Sequence, residues 1–228
     1  NYLKTWRDHS LLVSAYYRPT TDVIQRISYK NSADGLFYST SMNVAKSQSS
    51  GLELTLKDKF FRILDLTTSA NAYYYKLDGF AYPIDGQIVR GKADDKFTWN
   101  ARMTASLILP YDISVQATGR YEARQVITQG YRKPSYSVDL GARKNFFNKL
   151  ITVAVNCRDL LDSRKWETFT SGDNFTRHQI NKRGGRRVNF TVTWNFGNMK
   201  QKHRQQGKRN DGSSQMQQMD YNGTGGEE

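Results

Sequence analysis

The run RRVNFTVTWNF at residues 186–196 alternates without a break. Val188, Phe190, Val192, Trp194 and Phe196 fall on one side, and Arg187, Asn189, Thr191, Thr193 and Asn195 on the other. A strand points successive side chains to opposite faces, so the run is a ribbon with one apolar and one polar face. The same period of two returns along the chain. Phe97, Trp99, Ala101, Met103, Ala105, Leu107 and Leu109 oppose Thr98, Asn100, Arg102, Thr104 and Ser106, with Ile108 out of phase. Comparable runs cover residues 113–123, 136–143 and 151–158, and longer, less regular ones cover 64–74, 38–56 and 11–27. Pro19 interrupts the last of these, while Val23 and Ile27 keep its phase, which predicts an edge or a bulge. Helical spacing is absent from these windows. The expectation is an all-β, antiparallel up-and-down sheet of about eight strands.

What the apolar faces meet is decided by the connections and the strand lengths. LKDKFFRIL, LPYDI and RKNFFNKL join strands through a few residues, whereas residues 78–95, 124–135 and 159–184 are long. Short and long connections alternate strictly, as in a transmembrane barrel with tight turns at one rim and loops at the other. Phe60, Phe61, Tyr111, Phe146, Phe147, Trp194 and Phe196 gather at the short-turn end, where rings suit a headgroup interface. Most runs reach the 9–11 residues a membrane strand needs, against about 5–6 for soluble strands. Hydrophobic residues make up only 37% of the chain, with a mean hydropathy of −0.74. No stretch approaches the roughly 18–20 apolar residues of a spanning helix, which a barrel does not need. Leu107, Leu109, Val115, Val138, Leu140, Val153, Val155, Phe190 and Val192 are therefore expected to face lipid.

The opposite face is expected to line the lumen. It carries Arg18, Asp22, Arg26, Glu53, Asp65 and Arg102 on the earlier strands, and Arg120, Glu122, Asp139, Arg143, Arg158 and Arg187 on the later ones. Both signs occur on neighbouring strands, which predicts cross-strand charge pairs. The net charge of +13 is scattered rather than gathered in one stripe, which argues against a nucleic-acid partner. One cysteine, Cys157, excludes an internal disulfide framework. His9, His178 and His203 have no carboxylate at metal-ligand spacing, and no nucleophile motif or phosphate loop is present, so neither an enzyme nor a metal or cofactor site is expected. The triplets at Asn174, Asn189 and Asn222 read as chance matches to a glycosylation signal. Residues 1–197 form the strand-bearing part; 198–228 are polar and Gln-rich, and read as a disordered tail leaving on the short-turn, periplasmic side.

Several segments together resemble TonB-dependent receptor barrels. NVAKSQSSGLELTL, with Asn43, Gly51, Leu52 and Glu53, is similar to their Asn…Gly-Leu-Glu strand, and LLVSAYYRPTTDVIQRIS to the strand before it. VDLGARKNFFNKLITVAVNCRDLLDS resembles a late hairpin followed by an Asp-Leu-x-Asp corner, here Asp159, Leu160 and Asp162. RRVNFTVTWNFGN resembles the terminal strand. Such receptors have about 22 strands and an N-terminal plug, so the resemblance implies the C-terminal part of a larger outer-membrane barrel of a Gram-negative cell. It also implies solute uptake, with a plug domain, the TonB energy-coupling system and a surface lipoprotein as partners. The chain opens at Asn1 without a leader, and NYLKTW reads as the end of a preceding strand. Phe80, Tyr82, Tyr131, Trp166, Phe169 and Phe175 are then candidate ligand contacts in the long connections, with Arg90, Arg132 and Arg177 for anionic groups. A closed eight-stranded barrel with a structural or adhesive role and a soluble all-β binding module remain open alternatives.

Overall fold

The computed structural model describes residues 1–182 and 184–196, apart from the side chain of Val44. The expectations for the polar tail fall on residues outside that range. The sheet that carries the fold has nine antiparallel strands. They are β1 Tyr2–Trp6, β2 His9–Lys30, β3 Phe37–Phe60, β4 Leu64–Leu77, β7 Asp94–Leu109, β8 Ile113–Glu122, β11 Ser135–Phe146, β12 Ile151–Arg158 and β15 Arg187–Trp194, neighbours in that order. Eight of them are the strands expected from the alternation. NYLKTW adds the short β1, paired with β2 from Tyr2↔Val13 to Trp6↔His9.

The three long connections, expected as loops, have regular structure of their own. Each folds back as a hairpin: β5 Phe80–Ile84 with β6 Gln87–Gly91, β9 Gln125–Ile127 with β10 Gly130–Arg132, and β13 Lys165–Gly172 with β14 Phe175–Lys182. The last two join into a four-stranded sheet, β14-β13-β10-β9. The first of the three carries a turn signal that the alternation reading passed over. Asp85 and Gly86 both adopt positive φ (49° and 73°), and Asp-Gly between apolar runs is the signature of a tight two-residue turn.

At the opposite end the turns are tight. Phe61 and Arg62 (φ 51° and 59°) and Tyr111 and Asp112 (φ 63° and 56°) have the paired left-handed conformation that matches strand twist. Ile63 N–H closes the first by donating to Phe60 O at 3.1 Å. Phe61, Tyr111 and Phe147 stand exposed at three of these tips.

Register aligns the apolar residues into continuous rows. Leu107, Val115, Ala142, Val155 and Phe190 are successive cross-strand partners from β7 to β15. The next row toward the short turns runs Leu109, Ile113, Lys144, Val153 and Val192. Lys144 enters the apolar face there, and its ammonium lies 4.9 Å from the Phe146 ring. No residue of these two rows is buried, and Phe190 and Val192 are 67% and 57% exposed. A face of this extent without a covering layer is what a sandwich core would not leave open.

Aromatic residues bracket the band at both ends, whereas the sequence had marked only the short-turn end. Tyr74, Phe97, Trp99 and Tyr136 are exposed toward the hairpin end, with Tyr121 stacked 4.5 Å from Trp99. Phe60, Phe146 and Trp194 are exposed toward the turns. On β11 the two levels are Tyr136 and Phe146. At about 3.4 Å per residue and a tilt near 45°, that separation stands roughly 24 Å tall, close to the ~25 Å apolar band of a membrane barrel.

The buried core lies elsewhere. Ile27, Tyr29 and Val89 pack with Met42, Phe80 and Ile84 where the outer half of β2–β3 meets the β5–β6 hairpin. The irregularity anticipated near Pro19 is a bulge between Thr20 and Ile24, with Asp22 at φ 53°. Pro19 itself keeps its ladder partner, Gln48. Below the bulge Tyr17 is exposed; above it Ile24 is exposed and Ile27 is fully buried. Val23 and Ile27 thus keep their numerical phase while Ile27 turns into the hairpin core.

Candidate functional site

The polar face of the main sheet concentrates charge on five adjoining strands. Arg102 on β7 sits directly opposite Arg120 on β8, and Arg158 on β12 directly opposite Arg187 on β15. Between them, on β11, Asp139 accepts from Arg164 Nη2 at 3.0 Å and lies 3.8 Å from Arg120. A cavity of about 440 Å³ opens on this face, lined by Gln116, Thr118, Arg120, Asp139, Asn156, Arg158 and Asn189 among others. Thr118 and Ser137 are buried here while the reverse of the same strands is open. The remaining polar-face candidates are dispersed. Arg18 pairs with Glu53 at 3.7 Å and Asp65 with Lys59 at 3.4 Å. Glu122 lies opposite Asn100, and Arg143 opposite Ser114. Asp22 occupies the bulge, and Arg26 donates through Nε to Ser39 Oγ at 2.7 Å beyond it.

At the hairpin end the candidate loop residues divide by role. Phe80 packs into the small core, and Phe175 meets Phe37 edge-on at 5.4 Å. Tyr131 stacks on Phe169 at 5.1 Å, and Phe169 on His178 at 4.1 Å. The Arg124 guanidinium covers the other side of Tyr131 at 3.5 Å. Glu167 completes this face, accepting from Lys133 Nζ at 2.6 Å and lying 2.8 Å from His178 Nε2. The Lys133 hydrogen bond, aided by His178, holds the Glu167 carboxyl below the usual range despite some desolvation. These aromatics consolidate the four-stranded sheet. Register turns Arg132, Trp166, Thr168 and Asn181 to the other face, where they line a cavity of about 820 Å³ whose rim also includes Ile180 and Lys182. Arg132 donates through Nη1 to Gln125 Oε1 at 3.2 Å, while its buried Nε meets no acceptor. Tyr82 is exposed on β5, Arg177 is exposed on β14 opposite Thr170, and Arg90 lies 3.8 Å from Asp173.

Two polar residues that sequence reading passed over hold the hairpins in place. The Gln129 amide, 5% exposed, accepts from Ser28 N–H at 2.8 Å and donates to Ser28 O at 3.0 Å and Arg90 O at 3.4 Å. It joins the β9–β10 turn to β2 and β6. Thr128 Oγ1 donates to Gln25 beside it. Tyr29 is fixed nearby by its hydrogen bond to Asp85 Oδ2 at 2.6 Å, which, with desolvation, pushes the phenol up to about 12. Gln129→Ala would leave a buried backbone pair unsatisfied, at a cost of about 1–3 kcal/mol. The expected result is faster hydrogen exchange at Ser28, whose N–H loses its acceptor, with amides between Ile113 and Gln116 unchanged.

The Asp-Leu-x-Asp segment forms the corner by which the chain leaves β12. Asp159, 2% exposed, accepts from Ser163 N at 3.0 Å and Arg164 N at 3.1 Å, and its own N–H donates to Asp139 Oδ1 at 2.8 Å. Asp162 binds Lys182 Nζ at 2.6 Å, tying the corner to the end of β14. The Gly-Leu-Glu segment has an equally local reason. A β-carbon at Gly51 would lie 2.5 Å from Tyr73 Cβ on the neighbouring strand.

The model of the outer membrane protein beta-barrel family matches residues 1–194. The chain belongs to that family. No curated protein and no solved structure matches it. The outer membrane is the place this membership gives to the barrel protein. It accounts for the open apolar rows and the two aromatic levels: in an outer-membrane barrel such a face meets hydrocarbon, and its rings meet headgroups. A soluble all-β module is not compatible with that membership.

Proposed function

We propose that this outer-membrane barrel protein is an uptake receptor of the TonB-dependent type, taking a solute at the hairpin end and passing it along the polar face. In this reading Leu107, Val115, Val138, Leu140 and their row-mates face lipid, and the arginine-rich face looks onto water or onto a plug domain. A surface lipoprotein would meet the hairpins, and the tail would lie in the periplasm with the energy-coupling system. One observation carries the reading: the 820 Å³ cavity at the hairpin end joins a tryptophan face to hydrogen-bond donors. Trp166 offers a stacking surface; Arg132 and Asn181 offer donors. Sites for small solutes combine such apolar walls with a few placed polar groups.

The test uses Gram-negative cells carrying or lacking the gene, grown in a defined medium containing inorganic phosphate, citrate, glucose and a maltodextrin. Depletion of at least one solute is expected to depend on the protein and to stop when a protonophore collapses the proton gradient. Trp166→Ala is expected to slow that depletion about tenfold, equivalent to ~1.4 kcal/mol of lost binding, at unchanged protein level in the outer membrane. Depletion that is the same with and without the gene for every solute would leave a structural barrel as the better account.

A further inference from the structure

We infer that the polar face of β8, β11, β12 and β15 is a binding site for a small multivalent oxyanion, a phosphate or polycarboxylate, held by Arg120 and Arg158. The inference deepens the uptake reading, since it rests on this face looking onto water. The first ground is a conflict in the ladder. Like charges directly opposite one another destabilise a sheet, and here two such pairs flank β11, Arg102 with Arg120 and Arg158 with Arg187.

The available carboxylates do not resolve the conflict. Asp139 is engaged at 3.0 Å by Arg164, a residue outside the ladder, and reaches Arg120 only at 3.8 Å. Glu122 stands opposite Asn100. Among the described residues, Arg102, Arg158 and Arg187 form no ion pair.

The second ground is the cavity itself. At about 440 Å³ it accommodates a small polyanion, and donors predominate along its wall: two guanidinium groups, the amides of Gln116, Asn156 and Asn189, and the Thr118 hydroxyl, beside the Asp139 carboxylate that Arg164 already engages. Guanidinium forks bind phosphate and carboxylate in a bidentate way, and charge-assisted bonds of this kind are the strong ones. An oxyanion seated between Arg120 and Arg158 would offset the repulsion across both pairs at once. A neutral sugar would satisfy the amides but leave the repulsion in place.

The experiment is isothermal titration of the full chain in detergent micelles at fixed ionic strength, with inorganic phosphate, citrate and glucose as separate probes. Binding of phosphate or citrate at one site is expected, without glucose binding; the two anion arms separate the two chemistries. Arg120→Gln combined with Arg158→Gln is expected to weaken binding at least tenfold. Arg62→Gln, in a short turn, is expected to leave it unchanged. Without anion, the single Arg158→Gln variant is expected to raise the urea midpoint, because it removes one repulsive pair, and it provides a folded test protein in its own right. Equal binding by wild type and both arginine variants, or no anion binding by wild type, would overturn the inference. Anion binding persisting where cells show no solute depletion would instead remove the uptake reading and leave the site.

Discussion

An arginine in place of Val155 is expected to cost about 2–4 kcal/mol, the penalty for a cation near the middle of a membrane barrel's apolar band. Val155 lies on the row that links Val115, Ala142 and Phe190, midway between the aromatic levels marked by Tyr136 and Phe146. Its neighbour Asn156 points to the other face, into the polar cavity. The same arginine at 156 is therefore expected to change stability by less than about 1 kcal/mol, because the group stays hydrated. The pair matches the introduced charge and side-chain length at adjacent positions, so a difference of more than about 1 kcal/mol, the range of a like-charge contact in a sheet, reports the face. Urea unfolding in phospholipid vesicles gives the comparison. Equal losses for Val155→Arg and Asn156→Arg would show that both faces meet the same medium.

The second large effect is expected at Asp159. Its carboxylate is almost fully enclosed and accepts from two backbone amides that the turn leaves without other acceptors, those of Ser163 and Arg164. Asp159→Ala removes those charged acceptors and strands both donors. Hydrogen bonds to a charged group are worth about 1.5–3 kcal/mol each, and an unsatisfied buried donor costs a further share. A net loss of about 3–4 kcal/mol is expected, with hydrogen exchange at residues 159–164 accelerating most. Asp159→Asn keeps an acceptor in place and should lose roughly half as much. A loss below about 1 kcal/mol for the alanine variant would mean that the β12 exit is held by Asp162 and Lys182 instead.

The long strands were legible because one physical rule governs each of them: two media, two faces, a period of two. RRVNFTVTWNF and the runs after Phe97 and Ile113 declare their faces by composition, and ladder register then aligns them. The hairpins were hidden by the opposite circumstance. Neither face of β13 or β14 holds a buried residue, so these strands mix Trp, Glu, Thr and Phe without a polarity rule. The contacts that hold them are remote: Gln129 meets Ser28 across 101 positions. Picking loop aromatics by type alone also blurred their roles. Tyr131, Phe169 and Phe175 are spent on one another, on His178 and on Phe37. Trp166 and Arg132 share a cavity because register sets Thr168 opposite Arg132 and Asn181 opposite Trp166, a fact about pairing that no single window contains. The second aromatic level was present in the letters, at Tyr74, Phe97, Trp99 and Tyr136, but only the ladder puts these rings at one height.

The 22 residues of β2 and 24 of β3 outlast any membrane thickness. From Tyr17 to Lys30 the ribbon continues for roughly 40 Å at about 3.4 Å per residue, up to the turn at residues 31–36. Two other hairpins reach the same height, since Asn174 Nδ2 donates to Lys30 O at 3.1 Å and Ser32 Oγ to Gln87 Oε1 at 3.0 Å, so a large particle approaching the hairpin end would meet these turns together. A peptide tag spliced between Ala33 and Asp34 should accordingly be displayed on living cells without disturbing the wall beneath.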